Sequence, residues 1–156
     1  MKKIIISPFS KKLKDNKRNA KDYPYWDQVI EKLKQMEFHI IQVGINGEQL
    51  LDNVDEYFMG KSFDELKSKV MECDCWISVD NFFPHFCHFI KKYGIVLWGK
   101  SDPDIFGYPE NINLLLDRKF LRKNQYLIWD YESYDEKVFV LPDVVIKNVI
   151  NLLSIK

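Results

Sequence analysis

This chain has little of what the specialised structural classes require. Its 156 residues include only 3 cysteines, 6 glycines and 6 prolines. Three cysteines are too few, and odd in number, for a disulfide scaffold, and they fit a reducing compartment. The scarcity of glycine and proline excludes collagen-like and low-complexity chains. Net charge is missing too, since 23 basic side chains balance 23 acidic ones; disordered chains combine low hydrophobicity with high net charge. Long apolar runs are also lacking. Met1–Pro8 starts basic but has only Ile4, Ile5 and Ile6 before polar residues resume. A signal-peptide core needs about 7–15 apolar residues and a membrane span about 20. The expected setting is the cytoplasm, with no membrane span.

What the chain does have is enough for a core, at 46% hydrophobic and 15% aromatic residues. Residues 1–156 read as a single domain, with no internal repeat or linker. The neutral total hides an asymmetry. Lys11, Lys12, Lys14, Lys17, Arg18 and Lys21 crowd one stretch against the single acid Asp15, while the stretch from Asp22 to Asp80 is acidic. A basic loop near the start attracts phosphate, or is simply a solvated loop. The basic excess of a nucleic-acid binder is missing elsewhere, so no nucleic-acid partner is expected.

Patterning alternates between strand-like and helix-like segments. Lys3–Ser7 is a short β-branched run, and Trp26–Met36 sets Trp26, Val29, Ile30, Leu33 and Met36 at helical spacing. Phe38–Val43 reads as a second strand. Ser62 and Glu65 form a capping box that opens a helix to about Glu72. Cys75–Val79 is a third strand, Phe83 or Pro84 through Tyr93 a helix, and Ile95–Trp98 a fourth strand. Ile112–Leu116 and Val138–Leu141 read as further strands, and Asp143–Leu153 as a closing helix. This alternation predicts an α/β fold: a three-layer, Rossmann-like, doubly wound and mainly parallel sheet.

In such a sheet, ligands bind beyond the carboxyl ends of the strands, where helix N-termini present free N–H groups and a positive dipole end. The strand-end loops are Ser7-Pro8-Phe9-Ser10, Gly44 to Glu48, Asp80 to His85 and Gly99 to Pro103. Neither GxGxxG nor a Walker motif is present, so a standard dinucleotide site or P-loop is not indicated. Cys73, Cys75, His85, Cys87 and His88 invite a zinc reading. However, there is no CxxC pair, and Cys73 and Cys75 run straight into a strand. No metal or cofactor is expected.

These loops carry a resemblance. Val79-Asp80-Asn81-Phe82-Phe83-Pro84-His85-Phe86, followed by Gly94-Ile95-Val96-Leu97-Trp98-Gly99-Lys100-Ser101-Asp102-Pro103, resembles the C-terminal half of heptosyltransferase-like GT-B glycosyltransferases (glycosyltransferase family 9). Lys21-Asp22-Tyr23-Pro24-Tyr25-Trp26, Gln42-Val43-Gly44…Glu48 and Gly60-Lys61-Ser62-Phe63-Asp64-Glu65-Leu66 resemble three more of that family's stretches, in the right order from about Ile4 to Asn113. The resemblance implies one lobe of a GT-B enzyme that binds a nucleotide-diphosphate sugar. It places Ser7 and Ser10 along the phosphate-side loop, Lys21 on a phosphate, and Glu48 after Gly44 on the ribose hydroxyls. It also sets Asp80, Asn81 and His85 at the helix start facing the diphosphate.

Two departures accompany it. The bulky Phe82-Phe83 pair stands where the family has small residues. The family's N-terminal lobe, with the acceptor site and the catalytic base, has no counterpart in this sequence. A transferase would therefore need a second lobe, a partner chain or a homo-oligomer. The alternative is a non-catalytic nucleotide-binding or partner-docking module derived from such a lobe. A third reading, a small enzyme acting on nucleosides, would need a carboxylate nucleophile, for which Asp80 and Glu48 are candidates.

Overall fold

A computed structural model describes residues 1–154. Six strands form one all-parallel sheet: β1 (Lys3–Ser7), β2 (His39–Gly44), β3 (Glu56–Met59), β4 (Cys75–Val79), β5 (Ile95–Trp98) and β6 (Ile112–Leu115), in the order β3-β2-β1-β4-β5-β6. Five helices accompany them: α1 (Trp26–Gln35), α2 (Phe63–Glu72), α3 (Phe82–Phe89), the short α4 (Pro103–Phe106) and α5 (Pro142–Ser154). The strand order reverses between β1 and β4. That is the point where an open α/β sheet leaves a crevice.

Strand alternation sorts the core into two halves. Ile4, Ile6, Ile40, Ile77, Val79, Ile95 and Leu97 face α1 and α5, where Trp26, Val29, Ile30, Leu33, Val145 and Val149 meet them. Ile5, Ile41, Val43, Trp76, Val96 and Trp98 face α2 and α3, meeting Val70, Phe83, Phe86 and Cys87. Covered on both faces, β1 from Ile4 on and β4 throughout are buried, and they are apolar there apart from Ser7 and Ser78, as parallel strands must be. Each fully buried aliphatic side chain contributes about 1.5–3 kcal/mol. Gly94 is required by close approach, because any Cβ there would collide with the Trp76 indole.

Two expectations are corrected, and one strand is added. Val138–Leu141 is not a strand. Val138, Phe139 and Val140 are apolar because they plug the α1/α5 side of the core, with Phe139 edge-on to Tyr23 at 5.8 Å. The strand β3 had no sequence signal: it is a four-residue edge strand without a β-branched residue. Helix α3 ends at Phe89 rather than Tyr93, because Lys91 takes a left-handed conformation (φ 59°) and Lys92 N–H donates back to the Cys87 carbonyl. No helix among the described residues is long and apolar enough to cross a membrane.

Candidate functional site

The loops after β1 and β4 meet at the reversal point and are tied together by side chains. The N-cap of α3 is Asn81, whose Oδ1 accepts from Phe83 N–H (2.8 Å) and Ser78 Oγ (3.1 Å). Its Nδ2 donates to Ser7 Oγ at 2.9 Å and to the Phe9 carbonyl at 3.1 Å. Ser10 Oγ donates to the Asp80 carbonyl at 2.7 Å, and Ser10 N–H to Asp22 Oδ1 at 2.8 Å. The buried serines Ser7 and Ser10 thus stitch the loop after β1 to the start of α3.

In front of these ties lies a cleft of about 410 Å³. It is lined by Lys21, Asp80, Asn81 and His85 together with Phe82, Phe106, Gln125, Tyr126 and Trp129. The Lys21 ammonium sits 3.2 Å from Asp80 Oδ2 and 5.0 Å above the Trp129 ring. The same Asp80 oxygen accepts from Ser101 Oγ at 2.9 Å. One buried carboxylate thereby holds the cleft's lysine in place, and a cation with donors to spare is what a phosphate seeks.

The start of α3 offers fewer amides than the sequence suggested. Pro84 has no N–H, and the Phe83 N–H is used by Asn81. Of the first-turn donors left unpaired by helix geometry, those of Asn81 and Phe82 have no partner among the described residues.

Gly44 and Glu48 stand apart from this cleft, beyond β2. Any Cβ on Gly44 would collide with Glu48 Oε2, so the glycine makes room for the carboxylate. That oxygen is buried without a hydrogen-bond partner among the described residues, and burial raises the Glu48 carboxyl above its ordinary range. Asp22 is close enough to feel the Glu48 charge. Burial raises Asp22 to about 6, opposed by its hydrogen bond from Ser10 and by Arg18.

Of the expected site residues, Lys21, Asp80, Asn81 and His85 line one cleft, Ser7 and Ser10 are tied to the same loops, and Gly44 with Glu48 lies outside it, beyond β2. Several residues escaped the sequence reading. Gln125 ties the segment after β6 to the Gly99–Pro103 turn, donating to the Lys100 carbonyl (2.9 Å) and accepting from Asp102 N–H (3.0 Å). Arg122 stacks on Trp129 at 3.5 Å and donates to the Gln125 and Leu127 carbonyls. The Tyr126–Tyr134 stretch, rich in aromatics and acids, was the available signal. It closes one wall of the cleft and also meets the basic loop. Lys17 donates to the Asp130 carbonyl (3.0 Å), Arg18 lies over the Tyr134 ring (4.0 Å), and Tyr134 OH donates to the Asp22 carbonyl (2.9 Å). Among the described residues no three His, Cys, Asp or Glu side chains form a metal-sized cluster.

No family model matches this sequence, and no curated protein does. Solved structures do match. The Escherichia coli ADP-heptose lipopolysaccharide heptosyltransferase II superposes with a TM-score of 0.74 over 98% of this chain and 46% of that one, at 14% identity. A glycosyltransferase of family 9 from Veillonella parvula gives 0.75 over 99% and 47%, at 16% identity. The E. coli heptosyltransferase WaaC, solved with ADP, gives 0.63 over 97% and 44%, at 13% identity. The chain spans a little under half the length of each. Its fold is that of one lobe of these glycosyltransferases.

Proposed function

We propose that this chain is a glycosyltransferase-like domain that binds a nucleotide diphosphate, or its sugar conjugate, across the carboxyl ends of β2, β1 and β4. The observation that carries the reading is the convergence of Lys21, Asp80, Asn81 and His85 in one cleft at the strand-order reversal. Lys21 and the Asn81 and Phe82 amides receive the diphosphate, with His85 beside them. The Glu48 carboxylate, whose Oε2 has no hydrogen-bond partner among the described residues, receives the ribose diol, for which a carboxylate is the natural acceptor. A fold shared with heptosyltransferase lobes, one of them solved with ADP, supports the same assignment.

Glycosyl transfer would then proceed with a nucleoside diphosphate leaving group stabilised by Lys21 and the helix start. Such cationic and backbone groups suffice without a metal. The acceptor and its base would come from a second lobe, a partner chain or another copy. The exposed apolar residues at the cleft mouth, Phe63 stacked on Phe82 (5.6 Å) with Tyr126, Leu127 and Ile128, support such a neighbour. The exposed Phe82 ring and the two remaining amides equally favour the second reading, a module that binds nucleotide without turnover.

Calorimetric titration with ADP, GDP and UDP and their sugar conjugates tests the proposal. One of the three is expected to bind, and Lys21→Gln to weaken it about 10–100-fold, the loss of one charge-assisted hydrogen bond. No binding at millimolar ligand would overturn it. Release of nucleoside diphosphate from the sugar conjugate separates a transferase from a binding module.

A further inference from the structure

We infer that Tyr108 is a positioning residue for His85, holding its imidazole so that Nε2 is the nitrogen presented to the bound anion. This rests on the nucleotide-diphosphate reading above. His85 lines the cleft and Tyr108 does not. The Tyr108 hydroxyl meets His85 Nδ1 at 2.7 Å, with the two rings edge-on at 5.4 Å and 81°. With Nδ1 committed to the Tyr108 hydroxyl, Nε2 is the ring nitrogen without a hydrogen-bond partner among the described residues.

The choice of a hydroxyl matters, because it can donate or accept. When His85 is neutral, the phenol hydroxyl, a better donor than acceptor, is expected to donate to Nδ1, which leaves the ring proton on Nε2. When His85 is protonated, Nδ1–H donates to the hydroxyl oxygen and Nε2–H is retained. In both states the cleft receives an N–H donor, which suits a phosphate oxygen.

Tyr108 is itself fixed. Its ring stacks on His88, the residue one turn beyond His85 on α3, at 3.8 Å and 9° between planes. Its carbonyl accepts from Asn113 Nδ2 at 2.9 Å, which anchors it to β6. An exposed histidine on a short helix would otherwise be ordered only upon binding, and ordering it beforehand removes that entropic cost from affinity. The two residues are 23 positions apart, so no local motif announces the pair.

The test is Tyr108→Phe, which keeps the ring and its stack on His88 and deletes only the hydroxyl. In the free protein at about pH 8, where an ordinary histidine is neutral, nitrogen NMR of His85 is expected to show a single Nε2–H tautomer. In Tyr108→Phe it should show an averaged pair. On titration with whichever of ADP, GDP and UDP the wild type binds, Tyr108→Phe should bind about 5-fold and His85→Ala about 10-fold more weakly, the scale of one hydrogen bond each. The double variant should bind no more weakly than His85→Ala, because Tyr108 acts through His85. Identical tautomer patterns in wild type and Tyr108→Phe would overturn the inference, as would additive losses in the double variant. Failure of the wild-type protein to bind ADP, GDP or UDP strikes instead at the nucleotide reading, and the tautomer comparison still decides whether Tyr108 sets the ring.

Discussion

Asp22 shows how a single residue links the site to folding. Its carboxyl is buried, donates nothing when ionised, and accepts one hydrogen bond, from Ser10 N–H. Burial lifts it to about 6 from an ordinary 3.8. The folded state therefore holds a proton between those values that the unfolded chain has already released, so stability falls as pH rises from about 4 to about 6. Above that window Asp22 destabilises the fold by on the order of 3 kcal/mol. Asn can still accept from Ser10 without the buried charge. Asp22→Asn is expected to match wild type near pH 4 and to exceed it in stability at pH 7. Urea unfolding at the two pH values checks this, and a constant difference between the proteins would refute it.

At the scale of elements, α2 and α3 start alike and differ in what their caps hold. Ser62 closes a capping box with Glu65 at the exposed start of α2, and its side chain makes no other hydrogen bond among the described residues. Asn81 caps α3 and also joins Ser7, Phe9 and Ser78. Ser62→Ala is expected to cost about 1 kcal/mol and to leave nucleotide affinity unchanged. Asn81→Ala should cost about 2–3 kcal/mol, since it orphans buried partners as well as a helix amide, and it should weaken nucleotide binding. Unfolding midpoints and calorimetry on the two variants make the comparison. Ser62 and Glu65 were readable in sequence because a capping box is a four-residue pattern. Asn81 was legible only as a loop residue near a strand end, because its partners Ser7 and Phe9 lie more than seventy residues away.

For the whole molecule, the question is what covers the mouth of the cleft. Phe63 and Phe82 are 67% and 55% exposed and stack on each other, with Tyr126, Leu127 and Ile128 also exposed. Apolar clusters of this kind mark interaction surfaces. Wild type is expected to associate with rising concentration in sedimentation velocity, and Phe63→Ser with Phe82→Ser to remain monomeric at unchanged melting temperature. An unchanged sedimentation profile would count against a self-made second lobe. The sequence by itself determined the kind and order of most elements, the buried parallel sheet, and the loops that could meet a ligand. Hydrophobic periodicity, caps and turn residues are local properties, and they survive in a single chain read end to end. Only the tertiary structure decided which of those loops share a cleft. The strand order sets β1 beside β4, which unites Lys21 with Asp80 and Ser101, and the segment after β6 adds Gln125, Arg122 and Trp129. It also turned the apolar Val138–Val140 from an apparent strand into a core plug and brought Tyr108 to His85. Those pairings depend on how whole elements pack, and no window of neighbouring residues contains them.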